Sequence, residues 1–577
     1  MANFFSDNRD LLQQFSSLDL ESVVNILEHD YVHAADDDMA PEGYQQAMEI
    51  YEASLDYCGD LCANYIAERS QAIDEQGASL VDGKVEYAEA TKEAQKCLAD
   101  AGFMGVIIPR EFGGLNFPAT IYIMMIEMVS QADASMMTMF GYQDVGEAIA
   151  KLAPKEVGQD FLPAYCRGES VGAMVLTEPG GGSDLQATRV KAHQDEQGDW
   201  RLQGVKQFIS HGNGGVLLVL ARSEADVAGM FGLSLFAVHG GIENNVKVNR
   251  IEEKMGLHGS PTCEILFDNA KGYLVGKQKF GLFHVVDILN HARFSVAAQA
   301  LGIAQASYNA ALEYAQIRKA FGRLIYDMPA VSDMLMSMKT DLIVSRAMIY
   351  RGTQCLDRRN TLDEKIESLK AKGEKPAKEL RIELRQMQRY LDILSPLVKY
   401  HVTENANSIC YTAQQVFGGM GYMRESLVER NVRDVRITTI YEGTSQVQVG
   451  LAIKHVLADA LKPYFESFNE IKNTKVSDSN IVLIDLLRET FEQAVTIYKA
   501  SEDKYFTAAA SQDICDIYVY LFGAYSVIES YKNVEELDQV LSRHLKKSVS
   551  NAKASLSKIE LGLYSDGVNR DNLCKEL

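Results

Sequence analysis

Apolar positions recur every three to four residues along most of this chain and every second residue along one stretch, and that change of period divides the molecule. Residues 8–15 and 20–29 read as short helices, ended by the acidic, proline-containing break Asp36-Asp37-Asp38-Met39-Ala40-Pro41. From residue 44 to 151 the spacing is largely helical, as in Tyr51, Leu55, Cys58 and Leu61 and again in Ile121, Met125 and Met128, with a loop at 106–115. The run Met136-Met137-Thr138-Met139-Phe140 reads as helix core. At Gly172 the pattern changes to short alternating runs rich in β-branched and aromatic residues, at 200–205, 216–220 and 233–238, which mark strands. Helical spacing returns at Gly281 and continues to Leu461, and its Ala-, Gly- and Ser-dense part, 294–311, allows close helix packing. Within it, the highly charged segment 357–389 is expected to form a solvent-facing helical hairpin turning at Gly373 and Pro376. After Pro463 a further helical module follows, with apolar positions at Val482, Leu483, Leu486 and Leu487 and at Ile514, Ile517, Tyr518 and Leu521.

These periods predict an α+β protein: a helical extension at 1–38, an α domain at 39–171, a β domain at 172–275, a helical domain at 276–462 and a helical extension at 463–577. A chain of 577 residues is long enough for several packed units, and 47% hydrophobic content is ordinary for a large core. A net charge of −22 argues against nucleic acid as a partner. No stretch is apolar enough to span a membrane, and the first residues lack the apolar core of a secretion signal. The nine cysteines are scattered, and Cys58 and Cys62 have no second pair with which to complete a zinc site. They are expected to be buried, reduced thiols in a cytoplasmic protein with no metal.

Several short motifs carry chemistry. Tyr441-Glu442-Gly443-Thr444-Ser445-Gln446 follows a basic, β-branched run at 430–440 and precedes a helical pattern, so a carboxylate lies on a tight turn beside a glycine. Such a group suits a general base, and from these six residues alone a solvated surface glutamate fits equally well. Thr177-Glu178-Pro179-Gly180-Gly181-Gly182-Ser183-Asp184 can turn backbone N–H groups toward an anion, without being a Rossmann or P-loop fingerprint. Lys206-Gln207-Phe208-Ile209-Ser210-His211-Gly212 fits either a flat-ring site or an ordinary buried strand. Asn290 and Arg293 share a helix face, and Arg318-Lys319-Ala320-Phe321-Gly322 closes a helical run with cations suited to a pyrophosphate or to the helix C-terminus. Gln415-Val416-Phe417-Gly418-Gly419-Met420-Gly421-Tyr422 is a second glycine-rich turn.

In this order the motifs resemble those of the flavin-dependent acyl-CoA dehydrogenases over roughly residues 40–460. The N-terminal segment at 8–12, the run at 256–263 and the extra C-terminal helices resemble the large-subunit branch that includes 3-methylmercaptopropionyl-CoA dehydrogenase. The resemblance implies an N-terminal helical domain, a middle β domain and a C-terminal four-helix bundle, with FAD as cofactor. It implies Glu442 as the base, with Tyr441 and Gly443 beside the thioester and Ser183, Asn290 and Arg293 near coenzyme A. It places Met174, Val175, Leu176, Thr177, Gly182, Ser183, Phe208, Ile209, Ser210, Thr444 and Gln446 against the flavin. Arg318, Phe321, Gln415, Phe417, Gly418 and Gly419 would reach the diphosphate and adenosine half, usually from a neighbouring subunit, so a homodimer or homotetramer is implied.

The implied reaction is α,β-dehydrogenation of an acyl-CoA to a 2,3-enoyl-CoA, with an electron-transferring flavoprotein as electron acceptor. Phe208 stands where the family often has Trp, and Met174 where it often has an aromatic. Met328-Pro329 replaces a pair that often helps to hold FAD, so that contact is not carried over. Ala292 occupies the position from which a minority of the family supplies its base, leaving Glu442 as the candidate. Two other readings stay open, an acyl-CoA oxidase and a non-catalytic acyl-CoA-binding scaffold. The acyl pocket is expected to draw on residues 125–139 and 260–262.

Overall fold

The computed structural model describes residues 2–35, 37, 39–467, 476–532, 534 and 536–563. Asp36, Asp38 and Cys574 lie outside the described residues. Helices dominate up to Cys166, strands run from Gly172 to Val275, long helices occupy Gly281 to Leu457, and three more helices follow from Asp478 to Glu560. This is the α+β order read from the change of period.

The core of the helical part is built on the Ala119–Ala132 helix, which is buried on every side. A helix with no solvent face must be apolar throughout or neutralise its polar groups internally. Glu127 does the latter, accepting from Arg346 Nε at 2.9 Å, Arg346 Nη2 at 2.5 Å and Tyr350 OH at 2.5 Å. The Gly281–Ile317 helix crosses it closely enough that a Cβ on Gly302 would lie 2.2 Å from the Glu127 carbonyl oxygen. Gly302 belongs to the small-residue stretch 294–311, and its missing side chain is what lets the two backbones approach.

Four helices, Gly281–Ile317, Pro329–Ala371, Lys378–Phe417 and Ser445–Leu457, make the C-terminal bundle. The charged hairpin turns between Ala371 and Lys378 with Gly373 at φ 75°, where the sequence placed it. The seven-stranded sheet runs in the order 172–175, 216–222, 191–194, 200–210, 262–275 and 233–239. Strand 233–239 pairs back onto 216–222, so the sheet closes on itself, while 246–251 pairs with 262–275. One face packs on the helices Gln143–Leu152 and Lys155–Cys166, and the other holds its own core around Val175, Ile209 and Phe236.

Two local readings are corrected. Residues 78–87, inside the stretch read as helical, form a hairpin of Ala78–Val81 with Lys84–Tyr87. Asp82 and Gly83 turn it at φ 48° and 77°, and that Asp-Gly pair was a hairpin signal present in the sequence. The β-branched run 430–440 keeps the helical reading made for 281–461, as Leu427–Val435 and then a 3-10 turn at Arg436–Thr439, with Val428 and Val435 seven residues apart on one buried face. The Gly281–Ile317 helix stops before Arg318, and Lys319–Ala320 pairs with Arg323–Leu324 across a turn at Phe321 and Gly322. Lys319 is therefore a hairpin residue, while Arg318 caps the C-terminus of the helix.

The last three helices cover the bundle. Lys504–Ser530 is the buried one, with Tyr400 OH donating to Asp516 Oδ1 at 2.8 Å and Arg351 paired with Glu529 at 2.9 Å. Gln13 Nε2 donates to the Ser530 carbonyl at 2.8 Å, so the N-terminal helix meets the C-terminal module. No helix among the described residues is long and apolar enough to cross a membrane. The eight described cysteines are free thiols, six of them buried, and no metal-binding cluster occurs among the described residues.

Candidate active site

Glu442 lies where the 3-10 turn Arg436–Thr439 gives way to the Ser445–Leu457 helix, in the left-handed conformation at φ 53°, followed by Gly443 at φ 96°. A non-glycine residue held there is strained unless its surroundings determine it. Gln448 Nε2 donates to the Glu442 carbonyl at 2.9 Å and to the Gly443 carbonyl at 3.0 Å, and Lys399 Nζ donates to the Gly443 carbonyl at 2.7 Å. Thr444 caps the following helix, and Ser445 Oγ donates to Glu404 Oε1 at 2.5 Å. The Glu442 N–H has no acceptor among the described residues.

The Glu442 carboxyl opens on a narrow cavity lined by Met137, Thr138, Gly141, Tyr142, Asp144, Ala292, Ser295, Val296 and Tyr441 as well. Burial raises its pKa above the ordinary carboxylate value, and the Arg293 and Lys399 charges partly oppose that rise. Burial in turn lowers Arg293 to about 10 and Lys399 to about 8. Tyr441 OH donates to Gln299 Oε1, whose amide donates to the Ala134 carbonyl at 3.2 Å, which fixes the ring on the cavity wall. Ala292 faces the same cavity and offers no titratable group.

Of the residues expected at the acyl pocket, Met137 and Thr138 line this cavity. Ser260 stands behind Thr138, whose hydroxyl donates to Ser260 Oγ at 2.8 Å. Tyr142, Asp144 and Ser295 on the wall, and Lys399 and Gln448 behind the turn, went unread in the sequence. Gln448 lies six residues past Glu442 on the capped helix, which is a local signal, whereas Lys399 carries none.

Arg293 Nη1 donates to Asn290 Oδ1 at 2.9 Å and to Ser395 Oγ at 3.1 Å. Both Asn290 and Arg293 also line a wider groove of about 490 Å³ with Arg359, Lys454 and His455 at its walls. Arg293 thus separates the groove from the Glu442 cavity while its Nε is buried without a hydrogen-bond partner.

The β domain brings the two expected flavin segments together. Gln207 N–H donates to the Thr177 carbonyl at 2.9 Å, and Lys206 Nζ donates to the Leu176 carbonyl at 2.7 Å. Glu178 organises the glycine loop, taking N–H groups from Arg189 at 2.7 Å and Val190 at 3.0 Å and bonding to Gly181 in both directions. Gly182 and Ser183 are exposed on that loop. Met174 and Leu176 pack toward the helices, whereas Val175 and Ile209 point into the opposite core and leave only backbone for a ligand. Phe208 is pushed out by a register shift between Lys206 and Ile209, with φ 60° and 58% exposure. Tyr142 bonds Ser210 and also lines the Glu442 cavity. An exposed ring flanked by the hydroxyls of Thr177 and Ser210, next to that cavity, fits a flat aromatic heterocycle such as an isoalloxazine.

The remaining set lies elsewhere. Arg318 and Phe321 are near Gln415, Phe417, Gly418 and Gly419 because Tyr314 stacks on Phe417 at 4.4 Å. Phe321 is 97% exposed, and Gly418 has φ 61°. Arg293 lies about a third of the way along the helix that Arg318 caps, roughly 37 Å from it at 1.5 Å per residue. Within one chain this set does not join Glu442. Gln446 is exposed at the first turn of the capped helix.

Models of the acyl-CoA dehydrogenase N-terminal, middle and C-terminal domains match residues 52–169, 173–270 and 281–457. A 3-methylmercaptopropionyl-CoA dehydrogenase of Ruegeria pomeroyi is 33% identical over 441 residues, 71% of each chain. Butyryl-CoA dehydrogenase from Megasphaera elsdenii is 26% identical with a TM-score of 0.60, over 71% of this chain and 98% of that one. An acyl-CoA dehydrogenase from Bacillus anthracis, solved with FAD, is 19% identical but covers 89% of this chain and 88% of its own, with a TM-score of 0.72, so its fold extends beyond the three domains.

Proposed function

This chain belongs to the acyl-CoA dehydrogenase family, an FAD-binding family of oxidoreductases acting on CH–CH groups, and on that premise we propose that it converts an acyl-CoA to the 2,3-enoyl-CoA with Glu442 as the base. The observation that carries the proposal is the Glu442 turn: a carboxylate with raised pKa, fixed by Lys399 and Gln448, facing a narrow cavity with Ala292 on its wall.

Glu442 removes the α-proton of the thioester. Its unpartnered N–H is the donor for the thioester oxygen, which gains negative charge as the proton leaves. Burial makes the carboxylate more basic than an exposed one, while the Arg293 and Lys399 charges oppose that rise and favour its ionised form. FAD, when bound, supplies the acceptor for the β-hydrogen and its electron pair. Thr177, Phe208 and Ser210 are the residues that would hold its ring. The groove beyond Arg293, with Arg359 and Lys454, is the cationic path for the coenzyme A phosphates. The distance between Arg318 and Arg293 supports a homodimer or homotetramer in which the Arg318 and Gln415 set serves a neighbour's FAD. An electron-transferring flavoprotein is the proposed acceptor, and free cysteines are consistent with a cytoplasmic setting.

The test is Glu442→Gln. The variant should retain FAD and lose the anaerobic bleaching of flavin colour by acyl-CoA, a loss of 10³-fold or more being about 4 kcal/mol. Bleaching at the wild-type rate would sink the assignment. Reduction of electron-transferring flavoprotein without hydrogen peroxide release separates a dehydrogenase from an oxidase.

A further inference from the structure

Two polar groups on the wall of the Glu442 cavity have no use in proton removal. Asp144, from the Gln143–Leu152 helix, is 3% exposed and lines the cavity. Among the described residues its side chain takes one hydrogen bond, from the Val145 N–H at 2.9 Å. Ser295, from the Gly281–Ile317 helix, is also 3% exposed, and its Oγ is buried with no hydrogen-bond partner. Both line the same space; Met137, Gly141, Ala292 and Val296 beside them are apolar, and the hydroxyls of Thr138, Tyr142 and Tyr441 are engaged with Ser260, Ser210 and Gln299.

A buried carboxyl with one neutral hydrogen bond and a buried hydroxyl with none are costly in a ligand-free fold. His291, the nearest cation, does not hydrogen-bond Asp144. Its Nδ1 is 3.1 Å from Glu147 Oε2, and its Nε2 has no partner. Burial pushes the Asp144 carboxyl up to about 7, with Glu442 adding to the rise and His291 opposing it. Around neutrality Asp144 can therefore donate or accept a hydrogen bond, and Ser295 can do both. An apolar acyl chain would leave these groups unsatisfied in a still drier cavity, whereas a hydroxyl or amide on the chain would satisfy them.

Resting on the acyl-CoA reading of the site, we infer that Asp144 and Ser295 form a subsite for a neutral hydrogen-bonding group, a hydroxyl or carboxamide, on a short acyl chain. Met137, Ala292 and Val296 supply apolar lining for the chain, and Asp144 and Ser295 supply the polar atoms for its substituent. Sites built to hydrogen-bond a substrate hydroxyl discriminate strongly against the analogue that lacks it.

The experiment compares kcat/KM, from anaerobic flavin bleaching, for 4-hydroxybutanoyl-CoA against pentanoyl-CoA and for 5-hydroxypentanoyl-CoA against hexanoyl-CoA. The holoenzyme should favour the hydroxylated member of at least one pair by about tenfold or more. Asp144→Leu should invert that preference, Ser295→Ala should reduce it severalfold, and Asp144→Asn, of equal size, should keep most of it. FAD content and melting temperature are read for each variant. If Asp144→Leu does not fold, the wild-type ratios, Asp144→Asn and Ser295→Ala carry the test. Equal or alkyl-favouring wild-type ratios, or a ratio unmoved by both Asp144→Leu and Ser295→Ala, overturn the subsite while leaving Glu442 in place. Normal bleaching by Glu442→Gln overturns the underlying reading instead, and bleaching by no member of the panel overturns the subsite as well.

Discussion

Lys399 offers a way to move the base without removing it. Its ammonium is fully buried and donates to the Gly443 carbonyl at 2.7 Å. Burial lowers it from 10.5 to about 8, a penalty of roughly 3 kcal/mol at about 1.4 kcal/mol per unit. Lys399→Met removes that penalty and loses a charged hydrogen bond worth about 1.5–3 kcal/mol. Gln448 still holds the same carbonyl at 3.0 Å, so the two effects nearly cancel and the melting temperature should change little. Glu442 loses one of its two cationic neighbours, Arg293 remaining as the larger influence. Loss of one nearby opposite charge shifts a carboxyl by about one unit, here upward, because the charged form is disfavoured. The rate constant of anaerobic bleaching, followed from pH 5 to 9, should show its acid limb about one unit higher in Lys399→Met. Below the limb the variant should be about tenfold slower, converging with wild type above it. Lys399→Arg should keep the limb near its wild-type position. An acid limb that stays in place, or moves down, refutes the electrostatic account of the turn.

Three further outcomes are expected. Gly302→Ala should lose about 2–4 kcal/mol in denaturant unfolding, because its Cβ would lie 2.2 Å from a backbone oxygen of the neighbouring helix, and a cost below about 0.5 kcal/mol would show that the crossing relaxes freely. Arg346→Met should cost about 3–5 kcal/mol by leaving Glu127 charged and unpaired, and Arg346→Met combined with Glu127→Gln should recover part of it in a double-mutant cycle. Asp434 is held near 7 by burial, against the Leu257 N–H that donates to it at 2.7 Å. The unfolded chain gives up that proton near pH 4, so the contribution to stability is complete below pH 4 and falls as pH rises toward 7. Asp434→Asn should flatten the slope of unfolding free energy between pH 5 and 8, and an unchanged slope would remove Asp434 from its causes.

Much of the architecture was legible because it rests on local periodicity. The change from helical to alternating spacing at Gly172 coincides with the first strand of the sheet, and the turn at Gly373 follows from charge density and a glycine. The hairpin at 78–87 escaped because its strands are four residues each, too short for a period, although Asp82-Gly83 announced the turn. The helix at Leu427–Val435 was legible despite its β-branched composition, since propensity is weaker than the burial of one face.

The site divides along the same line. Glu442 on a glycine turn before a capped helix is a contiguous pattern, so the sequence marked it and the two glycine loops as candidates, while the family resemblance pointed to Glu442 as the base and to Ala292. That Glu442 is shielded rather than solvated was decided by residues that reach it from other elements: Lys399 from one helix, Arg293 from a second and Tyr142 from the N-terminal domain. Asp144 and Ser295 lie 151 positions apart in the chain and become neighbours of one cavity only when two helices pack. The separation of Arg318 from Arg293 likewise needed the fold, because it depends on one helix staying unbroken from Gly281 to Ile317. Local chemistry is written in adjacent residues, whereas desolvation, and with it the basicity of a carboxylate, depends on whatever the whole chain packs around it.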